Sequence, residues 1–222
     1  EIHKSIMDAN MTLTAASQST IPWLSLIVLL PVAGALLIPF LPGEQKSDYN
    51  IPRNFALGFL LADFLLIIGV IGNVFDRQIP GIQLTERLDW IPLIGLEWSL
   101  GVDGISAPLV VLSGLITLLS AAASWKLNSK TKLYFALLLI QASAQSLVFL
   151  SQDFLLFFLA WELELVPVYL LIAIWGGTNR QYAATKFILY TALASLLILI
   201  SGLALALTGS EYTLNITELT NR

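Results

Sequence analysis

The amino-acid sequence predicts an all-α integral membrane protein of about six transmembrane helices. Three observations carry the prediction. Of 222 residues, 57% are hydrophobic and 12% are charged, against about 25% charged in soluble domains. Mean hydropathy is +0.81. The apolar residues also gather into runs of about 20, the length a helix needs to cross the hydrocarbon core.

In chain order, residues 1–20 form a polar tail. The apolar stretch that follows is too long for a signal peptide and has no small-residue cleavage pattern. Spanning helices are expected over 21–41, 54–75, 105–125, 133–151, 154–175 and 182–207, making 21–207 the transmembrane domain and 208–222 a polar end. The segment 76–104 is too polar to span. Its Trp90-Ile91-Pro92-Leu93-Ile94 and Leu96-Glu97-Trp98 mix aromatics with acids, as an interfacial stretch does. Gly101-Val102-Asp103-Gly104 reads as a turn, with Asp103 capping the third helix.

Basic residues in short loops set orientation. Lys46, Arg53, Lys126, Lys130, Lys132 and Arg180 fall on one side; Lys4, Arg77, Arg87 and Arg222 fall on the other. The first side is expected to be cytoplasmic or stromal, leaving the N-terminus on the opposite, lumenal side. With no cysteine and a single histidine, His3 in the polar tail, the chain offers no thiolate, iron–sulfur or haem ligands. No metal or cofactor site is expected in it. Electrons of any redox machine it serves would travel in other subunits.

The fifth span holds the informative residues, Trp161-Glu162-Leu163-Glu164-Leu165-Val166-Pro167. A charge at bilayer depth costs roughly 2.5–3.5 kcal/mol on insertion scales, so two acids in one span point to ion or proton chemistry. At about 100° per residue Glu162 and Glu164 diverge by about 200° and face different neighbours. Pro167 lacks an N–H and crowds the Leu163 carbonyl, predicting a kink one turn from both acids. Lys186 lies on the order of 6 Å inside the sixth span, too far from Glu162 for a direct ion pair; it either acts through water or snorkels to the interface. Gln141 and Gln145 share a face of the fourth span, with Ser143 and Ser146 nearby. They serve either as a wet path or as glue between helices, the commoner use. Asp63, mid-way along the second span, is a further intramembrane acid with no basic residue near it in sequence.

The stretch Leu155-Leu156-Phe157-Phe158 through Leu171, with Trp175-Gly176-Gly177 and Tyr182-Ala183-Ala184-Thr185-Lys186-Phe187, resembles one family closely. It is similar to the antiporter-like chain 4 (D-type) subunits of photosynthetic complex I, the NAD(P)H- or ferredoxin-quinone oxidoreductase. Gly101-Val102-Asp103-Gly104-Ile105-Ser106 and Pro22-Trp23-Leu24 also match, and Glu164 points to the photosynthetic branch. The resemblance implies an antiporter-like bundle built of inverted repeats, of which residues 1–222 hold an incomplete first one. It implies proton translocation with Glu162 as the main exchangeable carboxylate, Glu164 as a second carboxylate or a packing acid, and Lys186 tuning both. The helix-seven lysine that pairs with the Trp-Glu glutamate in this family does not occur in these residues. Quinone, NAD(P)H or ferredoxin, and iron–sulfur clusters would belong to partner subunits. Other membrane-arm subunits and lipid are the expected partners, a thylakoid membrane the expected location, and nucleic acid no partner. A stand-alone multisubunit cation/proton antiporter and a structural membrane scaffold are the alternatives.

Overall fold

The computed structural model describes residues 21–42, 50–76, 78–208 and 212–221. The polar tail with His3 and Lys4 lies outside them, as do Lys46, Arg77 and Arg222. Among the described residues, six helices are long and apolar enough to cross a membrane. They are α1 (Trp23–Leu37, extended by a 3-10 turn Ile38–Phe40), α2 (Asn50–Asn73), α3 (Ser106–Ala123), α4 (Thr131–Leu150), α5 (Phe154–Trp175) and α6 (Arg180–Leu207). Each matches an expected span; α2 starts four residues earlier than predicted, its first turn including Arg53, whose guanidinium bonds Asn50 and the Leu127 carbonyl.

The connection 76–104 folds more than the sequence suggested. Strands β1 (Gln83–Ile91) and β2 (Leu96–Val102) pair antiparallel, adding a two-stranded sheet to an otherwise helical chain. Its turn runs through Pro92–Ile94 to Gly95 at φ +70°, a backbone region that glycine adopts without Cβ strain. The hairpin is fastened to the helices by side chains. Glu86 accepts from Leu24 N (2.7 Å) and Ser25 N (2.9 Å), two donors that the first turn of α1 cannot satisfy itself. The Ser25 hydroxyl also donates to Glu86 and accepts from Trp98 Nε1.

Asp103 caps as expected: Oδ1 accepts from Ile105 N (3.0 Å) and Ser106 N (2.7 Å), and Ser106 Oγ accepts from Asp103 N. The Ser106 amide, foremost among these bonds, holds the Asp103 carboxyl below its ordinary value. Asp153 caps α5 through Leu156 N, and burial raises its carboxyl. The polar end expected at 208–222 contains a short helix, α7 (Ile216–Thr220), capped by Asn215 and bridged to Asp153.

Two large apolar clusters form most of the core, beside a small one of Ala206, Leu214 and Leu219. Leu24, Ile27, Ile67, Val70, Val110, Leu147, Leu150 and Leu156 pack with the hairpin's Leu96, Leu100 and Val102. Ala35, Ile38, Ala56, Leu60, Ala121, Phe135, Leu138 and Leu139 form the other cluster. Between them, on helix after helix, come polar residues: Asp63 on α2, Ser113 and Thr117 on α3, and Gln141 to Ser146 on α4. Within the second cluster a small residue lets the helices approach: a Cβ on Gly34 would stand 2.8 Å from Phe59 Cδ1 and 3.3 Å from Leu139 Cδ1.

Candidate functional site

The polar level between the two clusters meets α5 at its acids. Glu164 Oε1 accepts from Nε2 of Gln141 (2.7 Å) and from Nε2 of Gln145 (3.2 Å). Gln141 and Gln145 stand one turn apart on α4, so the two amides converge on a single carboxylate oxygen. Gln145 Oε1 in turn accepts from the Ser113 hydroxyl on α3 (3.0 Å); the Thr117 hydroxyl lies 3.5 Å from the same oxygen and donates at 3.0 Å to the Ser113 carbonyl. The result is one hydrogen-bonded row crossing three helices. Ser143 takes no part in it; its hydroxyl donates to the Val28 carbonyl and ties α4 to α1.

Glu162 occupies different surroundings. It is half-buried, and its Oε1 is enclosed without a hydrogen-bond partner among the described residues. Trp161 Nε1 and Gln141 Oε1 share that condition. An enclosed polar atom without a partner is uncommon and marks a place where water or a moving proton can bond. Helix α5 continues from Phe154 to Trp175 with Pro167 inside it.

A cavity of about 420 Å³ opens between α4, α5 and α6. Gln145, Trp161, Glu164 and Thr191 supply its polar lining; Val148, Phe149, Leu165, Val168 and Phe187 supply the apolar part. Lys186, adjacent to Phe187, is exposed, and its ammonium lies 4.7 Å from the centroid of the Tyr182 ring one turn earlier on α6. Asp63 is 2% exposed, and its Oδ1 is enclosed without a partner among the described residues. It stands on the buried stripe of α2 between Leu60 and Ile67, at the seam of the two apolar clusters.

The structure therefore brings Glu164, Gln141 and Gln145 into contact and leaves Lys186 and Asp63 outside that contact. Ser113 and Thr117 escaped the sequence reading, although their four-residue spacing already placed two hydroxyls on one face of α3. No group of three or more metal-ligating side chains occurs among the described residues.

Comparison with known proteins gives a consistent result. Residues 151–222 match the family model described as NADH:quinone oxidoreductase/Mrp antiporter, TM. A NAD(P)H-quinone oxidoreductase chain 4 from Synechococcus elongatus is 56% identical over 198 residues, which make up 89% of this chain and 37% of that protein. One from Thermosynechococcus vestitus is 52% identical over 201 residues, 90% of this chain and 38% of the relative. The chain thus spans well under half the length of these relatives. Among solved structures, a chain of respiratory complex I from Thermus thermophilus with bound NADH superposes with a TM-score of 0.74 at 25% identity, covering 89% of this chain and 39% of that one. A chain of the Mrp complex from Dietzia sp. superposes with a TM-score of 0.70 at 20% identity, covering 88% and 20%, a likeness of fold alone.

Proposed function

Since this chain is homologous to the N-terminal part of NAD(P)H-quinone oxidoreductase chain 4 proteins, we propose that it forms part of a proton-translocating subunit in the membrane arm of such a complex. The complex is an enzyme, a translocase driven by quinone reduction. NAD(P)H or ferredoxin, quinone and iron–sulfur clusters belong to its other subunits. The observation that carries the reading is the pair of acids on α5. One has an enclosed oxygen without a partner among the described residues, and the other ends a polar row three helices long.

Glu162 is the main proton carrier in this reading. Carriage requires a carboxylate whose oxygen is open to a transient partner, and the enclosed Glu162 Oε1 supports that role. Glu164 is the second carboxylate. Lys186 biases both through its charge, its exposed ammonium lying toward the start of α6. Asp63 belongs to the hydrophilic path at mid-depth, and Gln141 and Gln145 line that path beside Glu164. The protein resides in a thylakoid membrane, its partners are the other membrane-arm subunits and lipid, and its N-terminus faces the lumen, the side away from the basic loops Lys126–Lys132 and Arg180.

The decisive experiment measures proton uptake coupled to quinone reduction in vesicles carrying Glu162→Gln, beside Glu164→Gln, with assembly checked. Collapse of uptake in Glu162→Gln at normal assembly supports the carrier role; normal uptake in both variants sinks it. The second reading, a cation/proton antiporter subunit, draws on the fold shared with the Mrp chain. It predicts sodium-driven proton exchange in a preparation lacking redox subunits.

A further inference from the structure

Each oxygen of Glu164 has its own surroundings. Oε1 receives two N–H donors, from Gln141 and from Gln145. A carboxylate oxygen offers two lone-pair directions in its plane, so both positions on Oε1 are filled. A proton placed there would displace one amide and strand its hydrogen in the packed interface between α4 and α5. The Gln145 amide is tied in this orientation by the Ser113 hydroxyl, which donates to its oxygen at 3.0 Å. Glu164 also lines the 420 Å³ cavity between α4, α5 and α6, and Oε2 is the oxygen the amides leave open. At about 30 Å³ per molecule of liquid water, that space accommodates several waters.

We propose that Gln141 and Gln145 are positioning residues that confine the exchangeable proton of Glu164 to Oε2, so that this carboxylate trades protons with the cavity and not with the α3 hydroxyls. The proposal rests on the reading of the α5 acids as proton carriers. In uptake, a protonated water in the cavity gives its proton to Oε2 and becomes neutral water. In release, the Oε2–H bond breaks and the proton returns to cavity water. Oε1 keeps both amide bonds throughout, and no proton passes through an amide. The row from Ser113 to Glu164 is therefore a clamp. It resembles a conduit, but its Oε1 end is closed by N–H donors.

The test uses the assembled complex in its native membrane, with infrared difference spectra of the protonated-carboxyl C=O stretch recorded in H2O and D2O. Loss in Glu164→Gln assigns the Glu164 band. Gln141→Leu and Gln145→Leu each free one position on Oε1, so the band shifts or splits and coupled proton uptake falls about tenfold. Val168→Phe, which narrows the cavity without touching the amides, slows deuteration of the band. Ser113→Ala combined with Thr117→Val releases the anchor of Gln145 and broadens the band, giving a milder probe if a leucine variant fails to assemble. An unmoved band in assembled Leu variants, with uptake still dependent on Glu164, overturns the clamp and leaves the carrier reading standing. Normal uptake in both Glu162→Gln and Glu164→Gln overturns the carrier reading and the clamp with it.

Discussion

The contact between Glu86 and the start of α1 supplies a quantitative test of how the hairpin supports the bundle. The Glu86 carboxylate accepts from Leu24 N, Ser25 N and Ser25 Oγ, the last at 2.5 Å. It does for α1 what an N-cap side chain does locally, from 61 and 62 residues away in the chain. Pro22, the residue in the capping position, makes no side-chain cap bond. Replacing Glu86 by alanine therefore strips the first turn of its acceptors. Loss of a cap costs about 0.5–2 kcal/mol, and loss of a negative charge at a helix N-terminus about 0.3–1 kcal/mol. Because Glu86 is only half-buried, a total of about 1–2 kcal/mol is expected for Glu86→Ala, a change of roughly 5- to 30-fold in the folded-to-unfolded ratio. Glu86→Gln keeps an acceptor oxygen and should lose about half as much. Equilibrium unfolding in mixed detergent–SDS micelles measures the loss, and Trp98 emission reports the site, since its indole donates to Ser25 Oγ. A Glu86→Ala midpoint equal to wild type, with Trp98 emission unchanged, refutes the capping argument. A double-mutant cycle with Ser25→Ala should show coupling, because the two residues share one network.

Other perturbations have defined outcomes. Gly202→Ala would drive a Cβ into the Phe154 ring, a rigid group at the start of α5; it should destabilise by about 1–3 kcal/mol in the same unfolding assay. Asp63→Leu removes an enclosed oxygen that has no partner among the described residues and should leave the protein as stable or more so. If Asp63 serves the proton path, the same variant lowers coupled uptake about tenfold, so a stable variant with full uptake assigns it no such role. The Asp103 carboxyl is held below its ordinary value, foremost by the Ser106 amide, and a depressed acid stabilises the fold above its unfolded pKa. That contribution is present at neutral pH and is lost only as pH falls below about 3.8 through the lower folded value. Asp103→Ala should thus lower stability at pH 7 and narrow the gap to wild type in strong acid.

The six spans were legible because membrane crossing is a property of one segment at a time. About 20 apolar residues cannot leave backbone groups unsatisfied in lipid, so each run must be helical whatever its neighbours do. The acids at Glu162, Glu164 and Asp63 were legible for the same reason, since a charge inside such a run stands out without tertiary information. The hairpin was not. Trp90 and Leu93 point to exposed positions while Leu96, Leu100 and Val102 are buried where β2 meets α1, α4 and α5, so the pattern blurs the alternation expected of strands. Its register depends on Glu86 and Trp98 reaching a helix end more than sixty residues distant in sequence.

The sequence by itself determined the solvent of this protein, the number of its spans and the depth at which its acids lie, because those follow from local hydropathy and helical rise. Only the tertiary structure decided how the two α5 acids differ. Their 200° divergence is fixed by helix geometry, but which one meets an amide depends on the rotation of α4 against α5. That rotation places Gln141 and Gln145 on Glu164 and leaves Glu162 Oε1 without a partner among the described residues. Side-chain partners across helices come from packing, which no single span encodes.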